Sequence, residues 1–188
     1  MGRNKMLYKN KKATKEGEVR LKARNTAEIF IVVFAIFSVL LTVFILSNSL
    51  LDFEASHKSS GAIVDIIIPD DAKDVLIDDK TPEYYLRKCV HFLEYAMLGF
   101  AVMSFFGALS RKKESGRLHI GGVMCYTLFI AVLDEHLQSF TDRSSSTFDI
   151  LLDFSGGICG ILISLVVFFV VVNKLKKRTV STGSDIIK

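Results

Sequence analysis

The grouping of apolar residues into long blocks limits the folds that are open to this chain. Four blocks are long enough to cross a bilayer as helices, and the charged residues are concentrated between them. Inside a bilayer every backbone polar group must be hydrogen-bonded within the protein, and a helix meets this condition within one segment. The sequence therefore predicts an all-α polytopic membrane protein, a bundle of four transmembrane helices with an extracytoplasmic segment between helices 1 and 2.

The ends of these blocks divide the chain into a membrane domain and two tails. We predict a basic cytoplasmic tail over residues 1–28, a four-helix membrane domain over 29–172 and a second basic cytoplasmic tail over 173–188. The predicted spans are 29–47, 88–108, 120–140 and 148–172, and the predicted extracytoplasmic segment is 48–87. The first span is longer than the roughly 7–15 apolar residues of a signal peptide, so we expect a retained helix.

The distribution of basic residues predicts how the bundle is oriented. Lys and Arg are concentrated in both tails and in the turn over 110–119, whereas residues 48–87 are mainly acidic. Cytoplasmic loops of membrane proteins carry an excess of Lys and Arg. Because four spans place all the basic segments on one side, we expect both termini to be cytoplasmic.

Two features of the acidic segment predict local structure. Thr81-Pro82-Glu83 has the residue order of a helix start, with a capping hydroxyl, a proline at the first position and an acid in the first turn. We therefore expect the second helix to begin here, ahead of its apolar block. The stretch GAIVDIII over residues 61–68 is too short to span a bilayer. We interpret it as a short interfacial helix, with a strand as the alternative.

Polar and ionisable side chains interrupt the spans at one end only. They lie at the start of the second span, at the end of the third and at the start of the fourth. With a rise of about 1.5 Å per residue, these groups lie within roughly 10 Å of the predicted outer boundary. Such groups avoid lipid and pair inside the bundle, so we predict one polar pocket that is open to the outside. The predicted pocket residues are Lys88, His91, Glu94, Tyr95, Asp134, Glu135, Gln138, Arg143, Asp149 and Asp153.

Residue spacing places these side chains on shared helix faces. His91, Glu94 and Tyr95 are related by i+3 and i+4, and Asp134 with Gln138 by i+4. Carboxylates outnumber the nearby cations, so some of them must be protonated, share protons or bind a cation. No recognised metal motif is present, and no cofactor is predicted. The acid-rich set nevertheless leaves open a divalent cation such as Mg²⁺.

Several of these residues also have a purely structural interpretation. Asp149 could be the acidic arm of a capping box that begins at Ser146. Arg87 and Lys88 could extend to the lipid head groups. His136 lies one residue away from the Asp134 face and could point towards the interface.

Small residues inside the spans are expected to serve helix packing. Glycines allow two helix backbones to approach closely in a membrane, and the fourth span contains Gly156, Gly157 and Gly160. The cysteines are expected to pack as small hydrophobic residues rather than to form disulfides. They are Cys89, Cys125 and Cys159.

Taken together, the motifs resemble those of the VanZ-like family. The second span reads Lys88-x-x-His91-Phe92-x-Glu94-Tyr95, the third ends in Asp134-Glu135-x-x-Gln138, Arg143 follows in the link, and the fourth reads Asp149-x-x-x-Asp153-x-x-Gly156-Gly157-x-x-Gly160. Ser47-Asn48-Ser49, after the first span, is similar to the serine-rich exit often seen there in the family. The resemblance covers roughly residues 29–172. One departure is Asp153, which stands where the family pattern has Asn.

The resemblance implies a multi-pass protein of the bacterial plasma membrane that is associated with resistance to glycopeptide antibiotics, notably teicoplanin. The favoured function is non-enzymatic: the pocket binds or reorganises a surface lipid or cell-wall precursor. In this version Arg87, Lys88 and Arg143 hold a phosphate, while Tyr95 and Phe140 contact the lipid or sugar.

Two other functions stay open beside this one. The first is a membrane-embedded hydrolase or transferase of lipid-linked substrates that uses a metal or general acid–base catalysis. The second is a proton-coupled transporter, which four helices with apolar inner halves do not favour. The predicted partners are the lipid bilayer and an envelope lipid or cell-wall precursor. Nucleic acid is not expected, and the sequence does not determine the oligomeric state.

Overall fold

The computed structural model describes residues 2–50, 82–112, 118–140 and 146–184, which form four helices. They are α1 (Gly2–Ser49), α2 (Pro82–Lys112), α3 (Ile120–Gln138) and α4 (Thr147–Ser184). No strand occurs within these ranges. Each helix contains a window that is long and apolar enough to cross a membrane, which confirms the predicted all-α, four-helix fold. The GAIVDIII stretch lies outside the described residues.

Two helix ends follow from local sequence. α2 begins at Pro82, as the Thr-Pro-Glu order predicted, because proline lacks the N–H that would be unsatisfied at this position. α1 extends from the apolar block back to Gly2, through the segment that we predicted as a basic tail. Lys, Arg, Glu and Ala have high helix propensity, so the absence of an apolar face does not end the helix.

The apolar windows alternate in direction along the bundle. They cover Asn25–Ser49, Tyr84–Lys112, Ile120–Gln138 and Thr147–Val170. The ends of α1 and α3 therefore meet the starts of α2 and α4 at one end, which we call the polar end. At the opposite end Lys112 lies 3.1 Å from Glu28, and Arg111 lies over the ring of Phe168. This opposite end is called the basic end.

The core lies between the helices, and large apolar side chains also cover the outside. The most extensive contacts join α2 to α4 and α2 to α1. Buried core residues include Leu41, Ile45, Leu98, Met103, Val123, Ile130 and Ile161. Exposed residues on α1 and α4 include Val32, Val33, Ile36, Val39, Leu40, Val43, Phe44, Leu162, Ile163, Val166 and Phe169. A surface of this kind suits lipid and would be a large apolar patch in water.

Glycines bring α2 and α4 into backbone contact. A Cβ at Gly156 would overlap the backbone of Phe92, and one at Gly160 would overlap the backbone of Ala96. A Cβ at Gly99 would likewise overlap the backbone of Gly157. The predicted close packing through small residues is thus confirmed.

The cysteines are free, but only one is even partly buried. Cys159 is partly buried, whereas Cys89 and Cys125 are exposed on the outside of the bundle. The expectation that all three pack between helices is therefore wrong for Cys89 and Cys125. The spacing of apolar residues does not distinguish the inner from the outer face of these spans, because both faces are apolar.

Candidate functional site

The helix ends carry a group of polar side chains at the polar end, which we call the polar cluster. It contains every predicted pocket residue within the described ranges; Arg143 lies outside them. Two serines that were not predicted also belong to it. The members are Ser49, Lys88, His91, Glu94, Tyr95, Asp134, Glu135, Gln138, Ser146, Asp149 and Asp153.

Asp134 on α3 is fully buried at 0% exposure and is hydrogen-bonded on both carboxylate oxygens. Ser49, the last residue of α1, donates its hydroxyl to Oδ1. Gln138, one turn further along α3, donates its side-chain amide to Oδ2 at 3.2 Å. These bonds offset the cost of removing the carboxylate from water and tie the end of α1 to α3.

Glu135, the next residue on α3, caps the start of α4. Its Oε1 accepts a hydrogen bond from the backbone N–H of Ser146, while the Ser146 hydroxyl accepts one from the N–H of Phe148 at 3.2 Å. A capping box would instead direct the Asp149 carboxylate back to the Ser146 amide. That structural interpretation of Asp149 is wrong, because an acid from the neighbouring helix occupies the position.

The Asp149 carboxylate pairs with Lys88 on α2 instead. The two side chains are partly exposed, at 24% for Lys88 and 16% for Asp149, so the pair lies at the rim of the cluster. The Lys88 ammonium also lies 5.2 Å from the centroid of the Tyr84 ring. Lys88 is therefore held by protein groups in this structure rather than extended away from the bundle.

The predicted shared face of α2 points into the cluster. His91 Nδ1 lies 3.5 Å from Oε2 of Glu94, and Glu94 is buried at 7% exposure. Tyr95 is fully buried and lies beside Asp134 and Asp153. The expected contact between Tyr95 and a bound lipid or sugar does not fit this burial, whereas Phe140 is 72% exposed.

Three helices bring potential metal ligands together at the centre of the cluster. His91 on α2, Asp134 on α3 and Asp153 on α4 each offer one ligand atom, and these atoms lie within 4.8 Å of one another. The backbone contact between Gly156 and Phe92 explains the proximity of His91 and Asp153, because Asp153 lies one turn before Gly156 and His91 precedes Phe92. The arrangement can hold a cation or exchange protons between carboxylates.

Sequence reasoning missed Ser49 and Ser146 as members of the cluster. Ser49 lies in the serine-rich exit of the first span, but a serine in a helix commonly bonds back to the carbonyl four residues earlier, as Ser49 also does to Ile45 O at 3.2 Å. Ser146 was noted only as a helix cap. His136 is exposed and stacks edge-on with Phe140 at 5.1 Å between ring centroids, in agreement with its outward-facing interpretation.

Comparison with models of known protein families gives a match to the family described as VanZ/LLP1, over residues 32–169. The match covers most of the chain and includes the whole polar cluster. The chain belongs to the VanZ/LLP1 family. The resemblance to VanZ-like proteins noted from the motifs is thereby confirmed. Searches of curated proteins and of solved structures gave no significant match.

The range of the VanZ/LLP1 match divides the molecule into a matched region and the parts outside it. The region shared with the VanZ/LLP1 family begins inside the apolar block of α1 and ends in α4 before its basic extension. The polar cluster thus lies within the matched region. The helical extension of α1 before residue 32 lies outside the match.

Proposed function

We propose that this protein works in the bacterial cell envelope and contributes to resistance against glycopeptide antibiotics of the teicoplanin type. In this proposal both termini are cytoplasmic, and the polar end faces the outside of the plasma membrane. There the protein binds or reorganises a surface lipid or cell-wall precursor and so lowers the access of the antibiotic. Family membership supports the envelope role.

The observation that carries the proposal is the burial of ionisable groups from three helices in one cluster. Glu94, Asp134, Glu135 and Asp153 are each no more than 7% exposed. Ionisable groups inside a membrane are costly and usually mark a functional site. A bundle that only needed stability would be served at least as well by apolar residues of the same size.

The rim of the cluster supplies the contact for an anionic head group. Lys88 is partly exposed, and its partner Asp149 is also partly exposed. A phosphate that approaches this rim competes with Asp149 for the Lys88 ammonium group. Its charge-assisted hydrogen bond to Lys88 replaces the one that Lys88 loses with Asp149. Phe140, which is exposed at the same end, offers an apolar surface to the attached lipid or sugar. Arg143 stays a predicted second phosphate contact.

The proposal is tested by teicoplanin susceptibility in a strain that lacks the gene and carries it on a plasmid. Wild-type protein should raise the inhibitory concentration, and Lys88→Gln and Arg143→Ala should each abolish most of the increase at equal protein levels. Lys112→Gln is the matched control, because this lysine lies at the basic end. Full resistance in both the Lys88→Gln and the Arg143→Ala strains, or no effect of the wild-type protein, would rule the proposal out.

A second function is favoured by one specific observation, the convergence of His91, Asp134 and Asp153. A site of this kind could serve a metal-dependent hydrolase or transferase that acts on lipid-linked envelope substrates. Lipid extracts of the same strains separate the two functions. An enzyme changes the amounts of a substrate lipid and its product, and Asp134→Asn abolishes the change; a binding protein leaves the lipid composition as it was.

A further inference from the structure

The polar cluster is short of positive charge at its centre. Its lysine, Lys88, pairs with Asp149 at the rim. The carboxylates of Asp134 and Asp153 lie deeper, at 0% and 3% exposure. A buried carboxylate is stabilised when a cation lies beside it, since solvent no longer screens the charge. Among the residues that the structure describes, no Lys or Arg forms an ion pair with Asp153.

The geometry around Asp153 fits a small cation. Ligand atoms of His91, Asp134 and Asp153 lie within 4.8 Å of one another, and each residue comes from a different helix. Two ligands on opposite sides of a hard divalent ion are about 4.2 Å apart, because each bond measures about 2.1 Å. The three groups would have to move closer together to share an ion, because ligands that are not opposite each other lie closer than this. The remaining coordination positions are left to water or to a bound ligand.

An independent observation at the same place is the hydroxyl of Tyr95. Tyr95 is 0% exposed, and its hydroxyl faces the Asp134 carboxylate without forming a hydrogen bond of good geometry to any residue in the described part of the chain. The hydroxyl lies beside Asp134 and Asp153, which are two of the three potential ligands. Buried hydroxyls are nearly always hydrogen-bonded to protein or to ordered water. A water molecule on a bound cation would give this hydroxyl its partner.

We propose that His91, Asp134 and Asp153 bind a divalent metal cation, with the Tyr95 oxygen accepting a hydrogen bond from a water molecule on that ion. One imidazole and two carboxylates suit Mn²⁺, since carboxylates favour hard ions and imidazole favours transition metals. Asp153 is central because it brings a charge that an asparagine at this position would lack. The site does not depend on which lipid or precursor the protein binds, so it stands or falls separately from the proposed lipid-binding function, whereas the alternative metal-dependent enzyme requires it.

Binding of Mn²⁺ to the purified protein in detergent tests the site directly. The protein is first stripped with EDTA, and the loss of the free Mn²⁺ signal in electron paramagnetic resonance is followed during a titration. We expect saturable binding of one ion per chain. Asp153→Asn should weaken the affinity at least tenfold, while Glu28→Gln, the same kind of change at the basic end, should leave it within twofold.

A second variant keeps the test decisive if Asp153→Asn fails to fold. Electron spin echo modulation from nitrogen reports an imidazole ligand of Mn²⁺, and His91→Gln should remove this modulation. The proposal is overturned if wild-type protein binds no Mn²⁺ up to millimolar concentration. It is also overturned if folded Asp153→Asn binds as tightly as the wild type, or if the nitrogen modulation persists in His91→Gln.

Discussion

At the scale of single residues, Asp134 is the point where helix packing and the polar cluster depend on each other. It accepts hydrogen bonds from Ser49 and Gln138, lies beside Tyr95 and is fully buried. These bonds replace the water that the carboxylate would otherwise need. Removing a donor therefore affects both the stability of the bundle and the position of the carboxylate.

Ser49→Ala isolates the contribution of one of these donors. The substitution removes the hydroxyl from a buried carboxylate, so we expect the free energy of unfolding to fall by about 1–3 kcal/mol. Reversible denaturant unfolding in mixed micelles measures the change. Ser155→Ala is the control, because the Ser155 hydroxyl is exposed and, among the described residues, bonds to its own helix at Leu152 O. Equal effects of the two substitutions would show that the Ser49–Asp134 bond contributes nothing.

At the scale of helices, the start of α4 depends on an acid that belongs to α3. Glu135 accepts the Ser146 amide, a role that a local capping residue normally fills. Because residues of two helices share this cap, the end of α3 and the start of α4 are fixed relative to each other. The same contact leaves Asp149 available to pair with Lys88 on α2.

Substitutions at Glu135 distinguish capping from charge. Glu135→Gln keeps a carbonyl oxygen that can accept the Ser146 N–H, whereas Glu135→Ala leaves this amide without its partner. We expect Glu135→Ala to lower the free energy of unfolding by about 0.5–2 kcal/mol and Glu135→Gln to change it much less. Hydrogen exchange at the Ser146 amide should rise only in Glu135→Ala. Equal loss in both variants would mean that the charge matters and the cap does not.

The contact between α2 and α4 gives a second prediction at this scale. A methyl group at Gly160 would overlap the backbone of Ala96, so Gly160→Ala must push the helices apart. We expect a loss of about 1–3 kcal/mol. Gly121→Ala is the matched control, because nothing lies within 4 Å of the added carbon, and alanine is the better helix former. Thermal unfolding in detergent should separate the two variants, and a Tm for Gly160→Ala at or above the wild-type value would contradict the packing.

The helices of this fold could be predicted from the sequence, but few of the contacts between them could. The mainly acidic segment between α1 and α2 lies outside the described residues for most of its length. The four spans could be predicted because the bilayer requires long apolar blocks, and the shared face of His91 and Glu94 because helix period is regular. The partners Ser49 with Asp134 and Glu135 with Ser146 could not be predicted. Those pairs depend on how helices rotate about their axes, and apolar residues on both sides of a span leave that rotation undetermined.

At the scale of the whole molecule, one physical asymmetry separates the two ends of the bundle. The polar end buries acids, while the basic end carries exposed Lys112 and Arg111 close to Glu28 and Phe168. Exposed basic residues next to spans are retained in the cytoplasm. Every function proposed for the polar cluster in the envelope requires that this end faces outwards, so orientation is the property on which they all depend.

Cysteine labelling in intact cells tests that orientation. In a background with the native cysteines replaced by alanine, Ser139→Cys places a thiol on an exposed residue at the polar end, and Arg111→Cys places one at the basic end. A membrane-impermeant maleimide should label Ser139→Cys in intact cells and should label Arg111→Cys only after permeabilisation. The opposite pattern would place the buried acids on the cytoplasmic side, where no cell-surface lipid or glycopeptide reaches them. A cation site at His91, Asp134 and Asp153 would survive that result, because its ligands depend on the packing of three helices and not on the side they face.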